Sequence, residues 1–282
     1  MEIGSSQGPE KDLKVVLVFL LGLFLVWYAL GGPKNIPFPK DLFVDKTPLD
    51  ENYGSSSSEA SGTNGVLASG DKISISVSGA REAKPQREYI EIKASSGNKN
   101  SIDITGWILV GKTGLDLKIP QAVNLVVAGS ENYKTDVVLK PGEKAVINTG
   151  RSPIGYSFRV NKCSGYLSQA NLFYPSVSKK CPYPKDEDWP AGLSDACRDF
   201  IKTISSCRVN VSVPVKLGDE CASAISEKLN YNKCVSTHKN DENFYQSEWR
   251  VYMDREEELW KKTSERIILK DRNGNIVITS AY

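Results

Sequence analysis

The chain has one histidine in 282 residues. That scarcity leaves little room for hydrolytic or proton-shuttling machinery built on imidazole. No Gly-rich phosphate loop and no cluster with metal-ligand spacing occurs. The closest cysteines, Cys197 and Cys207, are too far apart for the C-x2-C pairs of a structural zinc site. Neither sign of charge is in excess, since 36 Lys+Arg against 34 Asp+Glu leave a net of +2. Without residues 1–32, which hold two Lys and three Asp/Glu, the balance is 34 to 31, or +3. Bulk attraction of nucleic acid needs a concentrated basic face, so no nucleic-acid partner is expected. No catalytic residue, cofactor, metal or small-molecule substrate is expected either.

Charge is wholly missing from Val15 to Leu30 (VVLVFLLGLFLVWYAL). With Gly31 and Gly32 the run reaches about the length that spans a ~30 Å hydrocarbon core as a helix. Trp27 and Tyr28 at its downstream edge suit the headgroup level, and Lys14 upstream can reach the interface. A cleaved signal peptide is the rival reading, because Ala29-Leu30-Gly31 has a small-x-small form. Against it, the run exceeds the usual apolar core of about 7–15 residues, and the leader carries Glu2, Glu10 and Asp12. The expectation is a cytoplasmic tail over 1–14 and an uncleaved transmembrane helix over 15–32.

Orientation follows from Cys163, Cys181, Cys197, Cys207, Cys221 and Cys234, an even set confined to the downstream part. Six cysteines without zinc spacing imply three bridges, which persist only in an oxidising compartment. The protein is therefore expected to be a single-pass membrane protein with an extracytoplasmic C-terminal domain. Between them, residues 33–70 turn from Pro-rich (GPKNIPFPK) to Ser/Gly-rich (GSSSSEASG), the composition of an extended and then flexible stalk.

From Asp71 the apolar period becomes two. Ile73, Ile75 and Val77 alternate with polar residues, as do the residues from Glu88 to Lys93. Short apolar runs follow near 102–104, 107–110, 123–127, 137–139 and 145–147, separated by turn residues. Strands at this spacing without helical pattern predict a mainly β, antiparallel sandwich. A terminal pair, 266–270 and 275–279, flanks Asn273-Gly274, the strongest short-range signal for a type I′ hairpin. Its inward candidates are Ile267, Leu269, Ile276 and Ile278.

Residues 162–262 read as a cysteine-rich helical insertion. Ser194 can cap a helix to about Ser206, Asp219 one to about Leu229, and Asp241 one to about Lys262. Packing the first two as an antiparallel hairpin pairs Cys207 with Cys221 and Cys197 with Cys234, leaving Cys163 to Cys181. The sandwich then comprises 71–161 plus 263–282.

Four segments taken together resemble the lamin-tail domain, the immunoglobulin-like sandwich of nuclear lamins and of many bacterial exported proteins. They are Glu88-Tyr89-Ile90-Glu91-Ile92, Ile102-Asp103-Ile104-Thr105-Gly106-Trp107-Ile108-Leu109, Leu139-Lys140-Pro141-Gly142-Glu143, and Leu269 to Val277. The resemblance covers about 71–161 and 264–282 and implies an immunoglobulin-like fold. The insertion departs from it, as does Ile278 where the family often has Asp. The anchored, cysteine-rich arrangement is similar to bacterial cell-surface versions, which carry little functional information.

Individual residues read as structure. Gly106-Trp107 is a turn and a core tryptophan, and Pro141, Gly142, Asn273 and Gly274 are turn formers. Glu88 and Glu91 fall on opposite strand faces, which rules them out as a carboxylate pair. His238 reads as an exposed loop residue, Asp241 as a helix cap, and Glu257–Lys261 and Glu258–Lys262 as i,i+4 helix pairs. Asn210-Val211-Ser212 is a glycosylation sequon, meaningful where the machinery exists. The functional expectation is a membrane-anchored binding module for a protein or surface polymer, displayed on a stalk. The alternative is an envelope component that assembles laterally; nucleic-acid capture and an unrecognised enzyme stand behind it.

Overall fold

The structure, a computed structural model, describes residues 71–282 except 112, 113 and 128, together with helical residues 19–23 and 26. Most of the expected anchor and all of the stalk lie outside the described residues. Among the described residues no helix is long and apolar enough to cross a membrane.

The described chain is mainly strand. In order come β1 (Ile73–Ser76), β2 (Tyr89–Ala94), β3 (Ile102–Asp103), β4 (Ile108–Val110), β5 (Asp116–Lys118), β6 (Ala122–Val123) and β7 (Lys134–Thr135). Next are β8 (Val138–Leu139), β9 (Lys144–Asn148) and β10 (Phe158–Asn161), then helices α1 (Asp195–Lys202), α2 (Gly218–Lys228) and α3 (Tyr231–His238). The chain closes with β11 (Tyr245–Tyr252), β12 (Arg266–Lys270) and β13 (Ile276–Ala281). A seven-stranded sheet has the order β1-β2-β9-β11-β10-β6-β7; a four-stranded sheet has the order β13-β12-β4-β5; β3 and β8 form a separate pair.

The seven-stranded sheet is mixed, whereas the four-stranded sheet and the β3–β8 pair are antiparallel throughout. β11 runs parallel to β9 and β10 parallel to β6, while the other pairs are antiparallel. The reason lies at Tyr245–Tyr252, which is a strand and not the third helix expected from Asp241 onward. Trp249 and Val251 pack into a core shared with β2, β4, β9 and β12, while Tyr252 joins a second core with Phe158 and Val160. A segment buried on both faces shows no polar stripe, so periodicity cannot separate it from a helix, and its aromatic and β-branched residues favour the strand. The insertion therefore ends near Phe244. Leu259 and Trp260 belong to the first core, and the segment that carries Glu257 and Glu258 is not helical.

The terminal hairpin forms, with a different turn. Of Asn273 and Gly274 only Gly274 has a positive φ, 87°, so the turn is not type I′. The Asp271 carboxylate instead accepts from the Asn273 and Asn275 amides, at 2.8 and 2.9 Å. A register shift follows, so that Leu269 faces Ile278 but Lys270 faces Ile276. Such a shift exchanges the faces of the strand. Ile267 and Leu269 point inward as expected, but Val277 is buried and Ile276 is 49% exposed.

All six cysteines are paired and buried, yet none in the expected way. The bridges are Cys163–Cys234, Cys181–Cys207 and Cys197–Cys221. The hairpin reading failed at two places. The α1 helix ends at Lys202, and the long connection that follows brings the first turn of α2 beside α1. The helix from Asp219 ends near Leu229 as expected, but a further helix, α3, starts at once from Asn230, whose side chain accepts from the Lys233 amide, and turns Cys234 toward Cys163. Gly165 lies against the second bridge: a Cβ there would sit 2.2 Å from the Cys207 Sγ.

Two expectations follow. Non-reducing peptide mapping should recover the three linked peptides just named, and removing Cys163–Cys234, which spans 71 residues, should cost about 4 kcal/mol, against about 3.5 for either shorter bridge. Leu269→Ala should lower stability by about 2–5 kcal/mol in urea melts, whereas Ile276→Ala should stay within about 0.5. Equal effects would show that the hairpin faces are assigned the wrong way round.

Candidate functional site

Two features concentrate polar chemistry: a charged cluster in the insertion and a cleft beside the edge of the large sheet. The cluster forms because α3 ends against the loop at 183–189. His238 contacts Glu187 Oε1 through Nε2 at 2.7 Å and Asp241 Oδ2 through Nδ1 at 2.9 Å. Lys162, just after β10, donates to Asp241 at 2.6 Å and to Asn243 at 2.6 Å. Lys228 of α2 lies 3.4 Å from Glu187 Oε2 and over the Trp189 ring. His238 is thus a half-buried tie between two carboxylates, not an exposed loop residue, and Asp241 is an ion-pair partner, not a helix cap. With both ring nitrogens engaged and no hydroxyl or thiol nucleophile in contact, the cluster joins segments and has no free group for chemistry.

Buried charges elsewhere are similarly occupied. Glu88 is fully buried and accepts from the amides of Leu259 and Trp260, at 2.7 and 3.1 Å, fixing the segment before β12. Arg250, 1% exposed, donates to Glu248 and to the carbonyls of Pro175 and Ser176. Arg159 pairs with Glu143 at 2.6 Å and stacks over the rings of Tyr245 and Trp249. Glu91 pairs with Lys144, which also reaches Glu248, on a face of the sheet that is only partly solvated. Among the described residues no group of His, Cys, Asp and Glu could hold a metal ion.

The cleft, about 330 Å³, is walled by Pro120 to Val123, Lys134, the loop from Arg151 to Ser157, Tyr252 and Asp254. Its walls are fixed by short hydrogen bonds. The Val123 amide donates to the Ser157 carbonyl at 2.7 Å, the Tyr252 amide to Ser157 Oγ at 2.9 Å, and Ser152 Oγ to the Tyr156 carbonyl at 2.6 Å. Arg151 spans the rim, paired with Asp254 and Glu256 at 3.2 and 2.9 Å. Among the described residues, neither the Lys134 ammonium nor the Tyr156 hydroxyl has a hydrogen-bond or ion-pair partner. A preformed hollow with a few convergent polar groups is the usual form of a recognition site. Its residues come from four separate stretches, none with a motif, so linear sequence offered no signal for it.

Gly106 has φ 74° and Trp107 beside it is 6% exposed. Gly142 has φ 84° in a turn closed by the Glu143 amide on the Lys140 carbonyl, with Pro141 at its exposed corner. No protein-family model, curated protein or solved structure matches the chain.

His238→Ala should cost about 1.5–3 kcal/mol, since hydrogen bonds to charged partners are lost, and should speed amide exchange across 183–189. Acid should act through two carboxyls with opposite signs. The Lys162 ammonium, and then His238, hold the Asp241 carboxyl below its ordinary 3.8, so its contribution is present above that value and is lost as pH falls through the folded one. Burial pushes Glu88 above 4.5, partly offset by its amide donors, so its contribution is fullest below that value and fades as pH rises through the folded one. In urea midpoints between about pH 3 and 7, Asp241→Asn should flatten the acid loss and Glu88→Gln should steepen it.

Proposed function

We propose that this chain is a non-catalytic recognition module, held at a membrane by its N-terminal apolar run and presented outside the cytoplasm. The cleft at Lys134, Arg151 and Tyr156 carries the reading: its walls are set before any ligand arrives, and preorganisation lowers the cost of binding. Burial of all six cysteines in bridges supports the exported placement. The lamin-tail likeness is supported by the buried Trp107, the positive φ of Gly106 and the two sheets that share one core. A protein or surface polymer is the proposed partner.

One observation favours lateral assembly as a second reading. The exposed edges at β5 and β7 carry Asp116, Lys118 and Lys134, charges that discourage strand addition, whereas the edge strand β13 carries none.

Full-length protein in detergent, immobilised and probed with surface proteins and polysaccharides from neighbouring cells, tests both. Under the recognition reading, a retained ligand is lost on Lys134→Ala plus Tyr156→Phe while the melting temperature holds. A ligand kept by that variant removes the cleft from the account. Concentration-dependent oligomers abolished by Ile276→Lys, with nothing retained, would establish assembly in its place.

A further inference from the structure

We propose that Asn210 is an acceptor of N-linked glycan. Asn210-Val211-Ser212 is the sole N-x-Ser/Thr sequence in the chain with a residue other than Pro between. Asn210 and Ser212 are both exposed, while Val211 is half-buried. Residues 209–214 have no regular secondary structure, and Asn210 has φ 51°, which turns the chain outward at the acceptor. Its amide makes no hydrogen bond among the described residues, so nothing must be broken to reach it. The loop is held at both ends by bridges, Cys207 to Cys181 and Cys221 to Cys197, which form in the oxidising compartment where sequons are used.

A second observation lies beside the acceptor. A shallow hollow of about 140 Å³ is lined by Val209, Asn210, Val211, Ile225, Ser226, Leu229 and Asn230. Its floor is apolar, and the rim groups Ser226 and Asn230 are engaged with the backbone of α2. An apolar floor beside an acceptor amide is a seat for the less polar ring face of the first sugar, with hydroxyls left to water. The chemistry is a group transfer from a lipid-linked oligosaccharide diphosphate. The bond between the anomeric carbon and the phosphate oxygen breaks, a carbon–nitrogen bond to Asn210 Nδ2 forms, the amide loses a proton, and the lipid diphosphate departs. This proposal rests on export and not on the recognition reading.

The test expresses the full chain in a secretory host that has an oligosaccharyltransferase. Intact mass should rise by one oligosaccharide, peptide-N-glycosidase should remove it and leave Asp at 210, and Asn210→Gln and Ser212→Ala should abolish it while Ser212→Thr keeps it. Amide exchange across 209–211 and 225–230 should be slower with the glycan than after its removal. Peptide covering an unmodified Asn210 in protein whose bridges have formed overturns the proposal. So does a chain retained in the cytosol with free thiols, because its acceptor never meets the transferase. Unchanged exchange overturns the sugar seat.

Discussion

The rest of the structure depends on one strand, β11, which is closed in by β9 on one side and β10 on the other and buried on both faces. Trp249 and Val251 supply one core, Tyr252 the other, and Arg250 is taken up by carbonyls of a loop in the insertion. The large sheet is thus a wall between two cores, and both are lost if this strand leaves. It also fixes chain direction: β10 runs back after β9, the cysteine-rich segment joins β10 to its antiparallel neighbour β11, and β11 so returns parallel to β9 and between the two. The insertion is not an appendage on a finished domain. Its apolar side chains complete the second face of the sheet.

This arrangement explains why disulfides are concentrated in one layer. The helices are short, at 8, 11 and 8 residues, and helices of that length are marginal in water on their own. Long irregular stretches between them add ordering entropy with little burial in return. Cross-links offset that cost by restricting the unfolded chain, and the bridge from Cys163 ties the end of β10 directly to α3. Gly165 has to lack a side chain because the polypeptide passes directly over the Cys181–Cys207 sulfurs.

Strand positions with one solvated face were legible from residue order alone. β1, β2 and β12 alternate, and Ser194 lies at a helix start where its side-chain oxygen satisfies the Cys197 amide. Three things were not legible. The fate of 241–262 required knowing that both faces would be covered, which is a tertiary fact. The faces of β13 turned on a shift set by the Asp271 carboxylate, a local bond that outweighed the Asn-Gly preference. The cysteine pairing depended on a short helix, Tyr231–His238, that follows the break at Leu229 and was not expected. The cleft was beyond reach for a related reason: its walls come from stretches over 100 residues apart, brought together by β10 pairing with both β6 and β11.

The pattern of occupied and unoccupied polar groups bears on what such a molecule is for. General acid–base chemistry needs a titratable side chain with one valence free to face a substrate. Here His238 is engaged at both nitrogens, Glu88 is held by two amides, and the charged ends of Arg250 and Arg159 are taken up by carbonyls, a carboxylate and aromatic rings. Each is spent on joining segments. Among the described residues, Lys134 and Tyr156 at the cleft and Asn210 on its loop are polar groups with capacity to spare that water or a partner can reach. The proposed recognition reading draws on that contrast between interior charges that tie segments together and donors and acceptors left at the surface.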